Sequence, residues 1–204
     1  VVVNAYPGTG VALLGIALVH AVVLSVVVTA TMPISGGVCN PALTVGLFVT
    51  RRLDGKSAGA YIAAQLVGAV LAGLMIKFVF PGGVVRAVSD GVPIIANTVT
   101  LTQAIAVEAL PTFFLMSAVF GTAVSPTAPK VGGFGIGLTL FFCIIAGGPL
   151  TGAAVNPARA FGPALMSGAW TGQAVYWVGP IIGAVLAAVL WDRFLLPPRE
   201  TPVV

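Results

Sequence analysis

The sequence predicts an all-α membrane protein, an inverted repeat of five visible spanning helices and two re-entrant half-helices. Three observations predict it. Of the 204 residues, 58% are hydrophobic and 7% charged, whereas a soluble domain carries roughly 25% charged residues. Five stretches reach the length of about 20 mainly apolar residues that a helix needs to cross a bilayer. Two ten-residue stretches, Ser35–Thr44 (SGGVCNPALT) and Thr151–Ala160 (TGAAVNPARA), align without a gap at an offset of 116 residues.

In chain order, the apolar runs predict spans at 9–31, 57–80, 99–123, 131–150 and 173–196. Between them lie shorter segments at 40–50 and 156–167, each opened by Asn-Pro-Ala: Asn40, Pro41, Ala42 and Asn156, Pro157, Ala158. Asn is a good N-cap and Pro is tolerated in the first turn, so each motif can start a helix. Neither segment is long enough to cross. Backbone that is not helical at membrane depth survives only when buried in protein or lining a watery cavity. Interrupted segments at equivalent places in two halves point to the functional site. A lone Asn-Pro is compatible with an ordinary turn or cap; two copies, each leading into an apolar run, predict paired half-helices. Three full spans separate the motifs, so the halves insert upside-down to each other. One domain is expected over 1–204, with half-repeats 1–80 and 99–198 joined by a loop at 81–98. The first half lacks a counterpart of span 99–123. That helix is expected upstream of Val1, with residues 1–8 as the loop after it.

The net charge of +4 comes from 9 basic and 5 acidic residues. A nucleic-acid partner would require clustered cations, and none is expected. Alternating spans put Arg51, Arg52, Lys56, Lys130, Arg193 and Arg199 on one side and Lys77 and Arg86 on the other. The positive-inside rule makes the first side, with the C-terminus, cytoplasmic. Cys39 and Cys143 sit in apolar runs and are read as buried free thiols. Small residues spaced by four, Ala64, Gly68, Ala72 and Gly179, Gly183, Ala187, allow close helix approach in lipid. No His/Cys/Asp group has metal-ligand spacing and no nucleophile stands near a base. Neither an enzyme nor a metal or cofactor is expected.

At this point the residues resemble one family, the aquaporins or major intrinsic proteins. The resemblance rests on Ser35-Gly36-Gly37 before the first motif and Asn156-Pro157-Ala158-Arg159-Ala160-Phe161-Gly162-Pro163 at the second. It also rests on Ala64-Gln65-Leu66-Val67-Gly68-Ala69 and on Glu108. It implies six spans plus two half-helices in the full-length protein, a homotetramer, and a passive channel for water and small neutral solutes. The plasma or inner cell membrane is the expected location. The resemblance also implies a selectivity filter of His20, Ile144, Ala153 and Arg159, similar to plant vacuolar-membrane and ammonia-permeable members, and a loop-supporting role for Glu108. Glycerol facilitators carry an Asp and a basic residue where Ala160 and Ala164 stand, and Pro-Leu where Tyr176-Trp177 stands. The resemblance therefore favours water over glycerol.

The residue chemistry fits that expectation. Two half-helix N-termini, each carrying about +0.5 of an elementary charge, would face one spot and oppose cations and protons. Asn40 and Asn156 can offer amide donors to water while their oxygens cap local backbone. Arg159 is a cation at membrane depth, which marks it as a functional candidate; a structural tie to loop carbonyls is the alternative. His20 is the only histidine, and a lone His in an apolar helix otherwise reads as a satisfied interior group. Glu108 could alternatively relay protons. A coupled transporter, a glycerol-type facilitator and a closed-pore structural protein remain the competing classes.

Overall fold

A computed structural model describes residues 12–197 of the chain. The described residues form helices and no strand: α1 (Leu13–Ser35), α2 (Pro41–Val49), α3 (Gly55–Val79), α4 (Gly82–Ala87), α5 (Leu101–Val119), α6 (Phe134–Thr151), α7 (Pro157–Ser167) and α8 (Val175–Leu190). Five of these are long and apolar enough to span a membrane, α5 and α8 counted with the wider turns that extend them, Phe120–Val124 and Trp191–Leu195. In each turn an amide reaches back five residues, Ser125 N–H to Phe120 O at 2.7 Å and Leu196 N–H to Trp191 O at 2.9 Å. The chain is thus an all-helical, multi-pass membrane protein.

The boundaries follow local chemistry. Helix α1 runs past the predicted end at 31, through Pro33 to Ser35, until Gly36 takes a left-handed φ of 75° and returns its N–H to Met32 O. Asp54 caps α3, accepting from Lys56 N–H and Ser57 N–H. The Ser57 hydroxyl, donating at 2.6 Å, is the main reason the Asp54 carboxyl lies below the usual carboxylate range. Helix α6 starts at Phe134 rather than 131, because Gly132 and Gly133 form a turn pressed on Thr29, whose hydroxyl oxygen accepts from Gly133 N–H. Segment 81–98 is more than the predicted loop: it holds α4 and a short 3-10 turn at Ser89–Gly91, and Val85 is buried beneath it. The readings of residues 1–8 and of Arg199 lie outside the described residues.

The helices pack as two related sets. Helix α2 lies on α8, and α7 lies on α3; α5 packs on α8 and α6, and α1 packs on α6. The small-residue stripe of α8 makes the α5 contact. A Cβ on Gly179 would stand 2.7 Å from Ile105 O, and one on Gly183 would run into Ala109 O. The equivalent stripe of α3 meets nothing of the kind: Gly68 has no neighbour within 4 Å of a Cβ. Only 6% of the apolar window of α3 is buried, against 39% for α5. Among the described residues, no helix stands to α3 as α5 stands to α8.

This contrast makes a prediction. Gly183→Ala should destabilise by about 1–3 kcal/mol, because the methyl meets backbone that cannot move aside. Gly59→Ala in α3, where a Cβ meets nothing within 4 Å, should be neutral or stabilising through helix propensity. Thermal unfolding in mild detergent compares the two, and equal midpoints would refute the close α5–α8 approach.

Candidate functional site

Both Asn-Pro-Ala motifs build the same local structure. Asn40 and Asn156 are extended N-cap residues of α2 and α7, with Pro41 and Pro157 in the first turn. The Asn40 Oδ1 accepts from Ala42 N–H at 2.9 Å. The Asn156 Oδ1 accepts from Ala158 N–H at 3.0 Å and Arg159 N–H at 3.3 Å. Each amide then crosses to the other half. Asn40 Nδ2 donates to Val155 O at 2.8 Å, and Asn156 Nδ2 donates to Cys39 O at 3.0 Å. The two half-helices therefore meet N-terminus to N-terminus, tied by a reciprocal pair of bonds. An Asn amide carries two donors, so each keeps one N–H beyond this tie. Both asparagines line a narrow cavity of about 60 Å³, whose other walls are mostly apolar residues such as Leu24, Leu43 and Ile136.

The second motif loop is strained and heavily braced. Ala153 and Val155 have positive φ, 42° and 46°, which is costly for any residue with a Cβ and most of all for a β-branched one. Glu108 on α5 is fully buried and holds this loop. Its Oε1 accepts from the Thr151 hydroxyl at 2.6 Å and Ala154 N–H at 3.0 Å, and its Oε2 accepts from Val155 N–H at 2.7 Å. With one hydroxyl and two backbone N–H groups on one carboxylate, Glu108 is bonded to the loop rather than to a chain of titratable groups. The Tyr176 hydroxyl adds a bond to Thr151 O at 2.9 Å. The first half repeats this last contact: the Tyr61 hydroxyl donates to Ser35 O at 2.9 Å.

His20, Ile144, Ala153 and Arg159 come together, although 139 positions separate the outermost two. All four line one cavity of about 270 Å³, roofed by Gly91–Ile94 of the long connection. Ile144 and Ala153 are apolar and buried. His20 Nδ1 lies 2.7 Å from Ile16 O, so the proton sits on Nδ1 and Nε2 is the nitrogen left for a ligand. Arg159 donates from Nη1 to Gly91 O at 3.0 Å, so one face of the guanidinium is tied and the rest borders the cavity. A larger space of about 650 Å³ continues from here, with His20, Asn156 and Arg159 among its polar lining and Gly68, Ala69 and Ala72 of α3 on its apolar side.

Two contributors, Gln65 and Gly91, were given no role in the sequence reading. Gln65 on α3 donates from Nε2 to Val38 O at 2.9 Å and to the Thr44 hydroxyl oxygen at 3.0 Å, bracing the first motif. A polar residue within an apolar span was the available signal. Gly91 had none, because its role depends on a carbonyl 68 residues from Arg159. The two thiols also differ. Cys143 is buried, as expected, and lies 3.5 Å from Pro111 O. Cys39 is exposed, correcting the buried reading, because the extended stretch before Asn40 turns it towards the space beside His20 and Asn156. Among the described residues no group of three His, Cys, Asp or Glu could hold a metal ion.

Comparisons with known proteins bear on the family and the fold. A family model described as "Major intrinsic protein" matches residues 1–191. "Aquaporin TIP4-4" of Zea mays is 43% identical over 194 residues, covering 92% of this chain and 74% of the relative. "Probable aquaporin TIP3-2" of Arabidopsis thaliana is 38% identical over 190 residues, covering 92% and 69%. Among solved structures, the aquaglyceroporin from Plasmodium falciparum superposes with a TM-score of 0.79 at 20% identity, covering 95% of this chain and 87% of that one. At that identity the match speaks for the fold alone.

Proposed function

The chain belongs to the major intrinsic protein family, and on that premise we propose that it is a passive transmembrane water channel that excludes protons and ions. The observation that carries this reading is the crossed asparagine pair. Each amide spends one N–H on the opposite loop and keeps another, at the place where two helix N-termini meet. A water there turns its oxygen to these donors and its hydrogens away, which interrupts a hydrogen-bonded file that could carry protons. His20, Ile144, Ala153 and Arg159 form the selectivity filter in this reading. The bracing of Glu108 by three donors argues against a proton relay, and with it against a coupled transporter. The channel works as a homotetramer with one lumen per subunit, and single-subunit particles in mild detergent would contradict that assembly. The surplus of Arg51, Arg52, Lys56, Lys130 and Arg193 puts their side, where α8 ends, in the cytoplasm. It carries the orientation, not the choice of membrane.

The test is osmotic shrinkage of proteoliposomes in stopped flow. Water flux well above empty liposomes is expected; flux equal to empty liposomes would leave a closed, structural membrane protein.

The filter also predicts what accompanies water. Ile144 offers no hydrogen bond across the constriction, and ammonia is close to water in size. Ammonia flux is therefore expected. Ile144→His introduces a second polar ring, and a barrier higher by about 1.4 kcal/mol cuts flux about tenfold. Internal alkalinisation after an ammonium jump, measured beside shrinkage on the same liposomes, should show ammonia flux falling more than water flux. An equal fall in both would remove ammonia from the reading.

A further inference from the structure

We propose that the apolar cavity beyond the crossed asparagines, with Ile136 and Val119 as size-determining residues, sets the upper size limit for solutes, rather than the four filter residues. The inference rests on the channel reading and adds where along the lumen selection by size takes place. The two spaces lie in series. Asn156 borders the inner cavity together with Asn40, and it also borders the outer space that holds His20 and Arg159. A solute that has passed the filter therefore meets the inner cavity next. The filter cavity has a volume of about 270 Å³ and the inner one about 60 Å³. The inner space exceeds what a single water requires, but it is much the smaller of the two.

Helices build its walls. Val28 of α1, Leu43 and Leu47 of α2, Leu115 and Val119 of α5, and Ile136 of α6 all face it. These branched aliphatic side chains are buried and belong to one packed cluster. Such a wall does not swell around a larger solute, because protein interiors are packed as densely as organic crystals. The approach of α1 to α6 fixes it further. A Cβ on Gly133 would stand 2.6 Å from Ser25 O and 2.8 Å from the Val28 Cβ, and one on Gly137 would run into the Ser25 hydroxyl. The two chains therefore touch on both sides of Ile136 and hold it against α1. The filter is built differently. Ala153 is small, and the roof is the connection Gly91–Ile94 rather than a spanning helix. The rigid gauge is the inner cavity.

Chemistry and size act together here. Each asparagine keeps one amide N–H after the crossed bond. Water and ammonia are small enough to turn their single heavy atom to these donors. Glycerol is longer and carries several hydroxyls. The aliphatic side chains offer those hydroxyls no partner, so glycerol gives up hydration that the walls do not replace.

The experiment uses proteoliposomes in stopped flow. Shrinkage in an impermeant osmolyte reads water flux, and reswelling in a glycerol gradient reads glycerol flux on the same preparation. The parent should pass water and hold glycerol flux at the level of empty liposomes. Ile136→Ala should raise glycerol flux roughly tenfold above that level while water still passes, because a missing methyl or methylene in an apolar pocket shifts discrimination by about that factor. Ile136→Val, a smaller truncation, should fall between. His20→Ala enlarges the filter alone and should leave glycerol excluded. If Ile136→Ala does not fold, as judged by monodisperse elution, Val119→Ala truncates the α5 wall and should give the same gain. Three results would each overturn the proposal: glycerol flux in the parent, glycerol flux in His20→Ala with the inner cavity intact, or continued exclusion in the folded wall variants while water passes. Absence of water flux in the parent would instead refute the channel reading itself.

Discussion

Glu108→Ala should lower the stability of the folded protein severely. The carboxylate is fully buried and accepts from the Thr151 hydroxyl and from the N–H groups of Ala154 and Val155. Truncation leaves two backbone amides and a hydroxyl without acceptors inside the bundle, each costing about 1–3 kcal/mol. It also releases a loop held in positive φ at Ala153 and Val155. The remaining braces are Tyr176 on Thr151 O and Asn40 on Val155 O, and the second depends on the loop keeping its place. A loss of about 3–5 kcal/mol is expected, a large share of the roughly 5–15 kcal/mol that keeps an ordinary protein folded. Glu108→Gln should be milder, since it keeps one acceptor but sets an NH2 against an N–H. Yield of monodisperse protein and the unfolding midpoint in detergent check this. A Glu108→Ala protein with the parent midpoint and an altered pH dependence of proton flux would instead make Glu108 a relay.

Arg159→Val should leave water flux largely intact while opening a leak to cations or protons. The guanidinium borders the same cavity as His20, Ile144 and Ala153, and Gly91 O holds it there. A cation passing about 4 Å away meets about 4 kcal/mol of repulsion at an effective dielectric of 20, so losing the charge should raise cation passage by roughly a thousandfold. The half-helix N-termini stay in place, because the capping bond to Asn156 comes from the backbone N–H of residue 159. Arg159→Lys keeps the charge and should keep exclusion. A pH-sensitive dye inside liposomes measures the leak. Unchanged exclusion in the Val variant would mean that the field of the paired helix ends suffices alone.

The sequence by itself determined the helices, the repeat and the two motifs. Those properties depend on near neighbours. Twenty apolar residues in a row make a span wherever the chain goes, and Asn followed by Pro starts a helix by capping its own next turn. Local signals were weaker where tertiary contact decides: α4 is too short to announce itself, and the start of α6 is set by a Thr29 hydroxyl 104 residues away.

What only the tertiary structure decided is which groups meet. The two small-residue stripes look alike in sequence, yet Gly183 is pressed on α5 while Gly68 faces open space. Cys39 and Cys143 look alike too, and one is exposed. Nothing local pairs Glu108 with Val155, Arg159 with Gly91, or Asn40 with Val155. Each is a bond between a polar group at membrane depth and a backbone atom far along the chain. Such a group must find a partner inside the bundle, since hydrocarbon offers none. Composition states that requirement, but only the way the two inverted halves close on each other selects the partner.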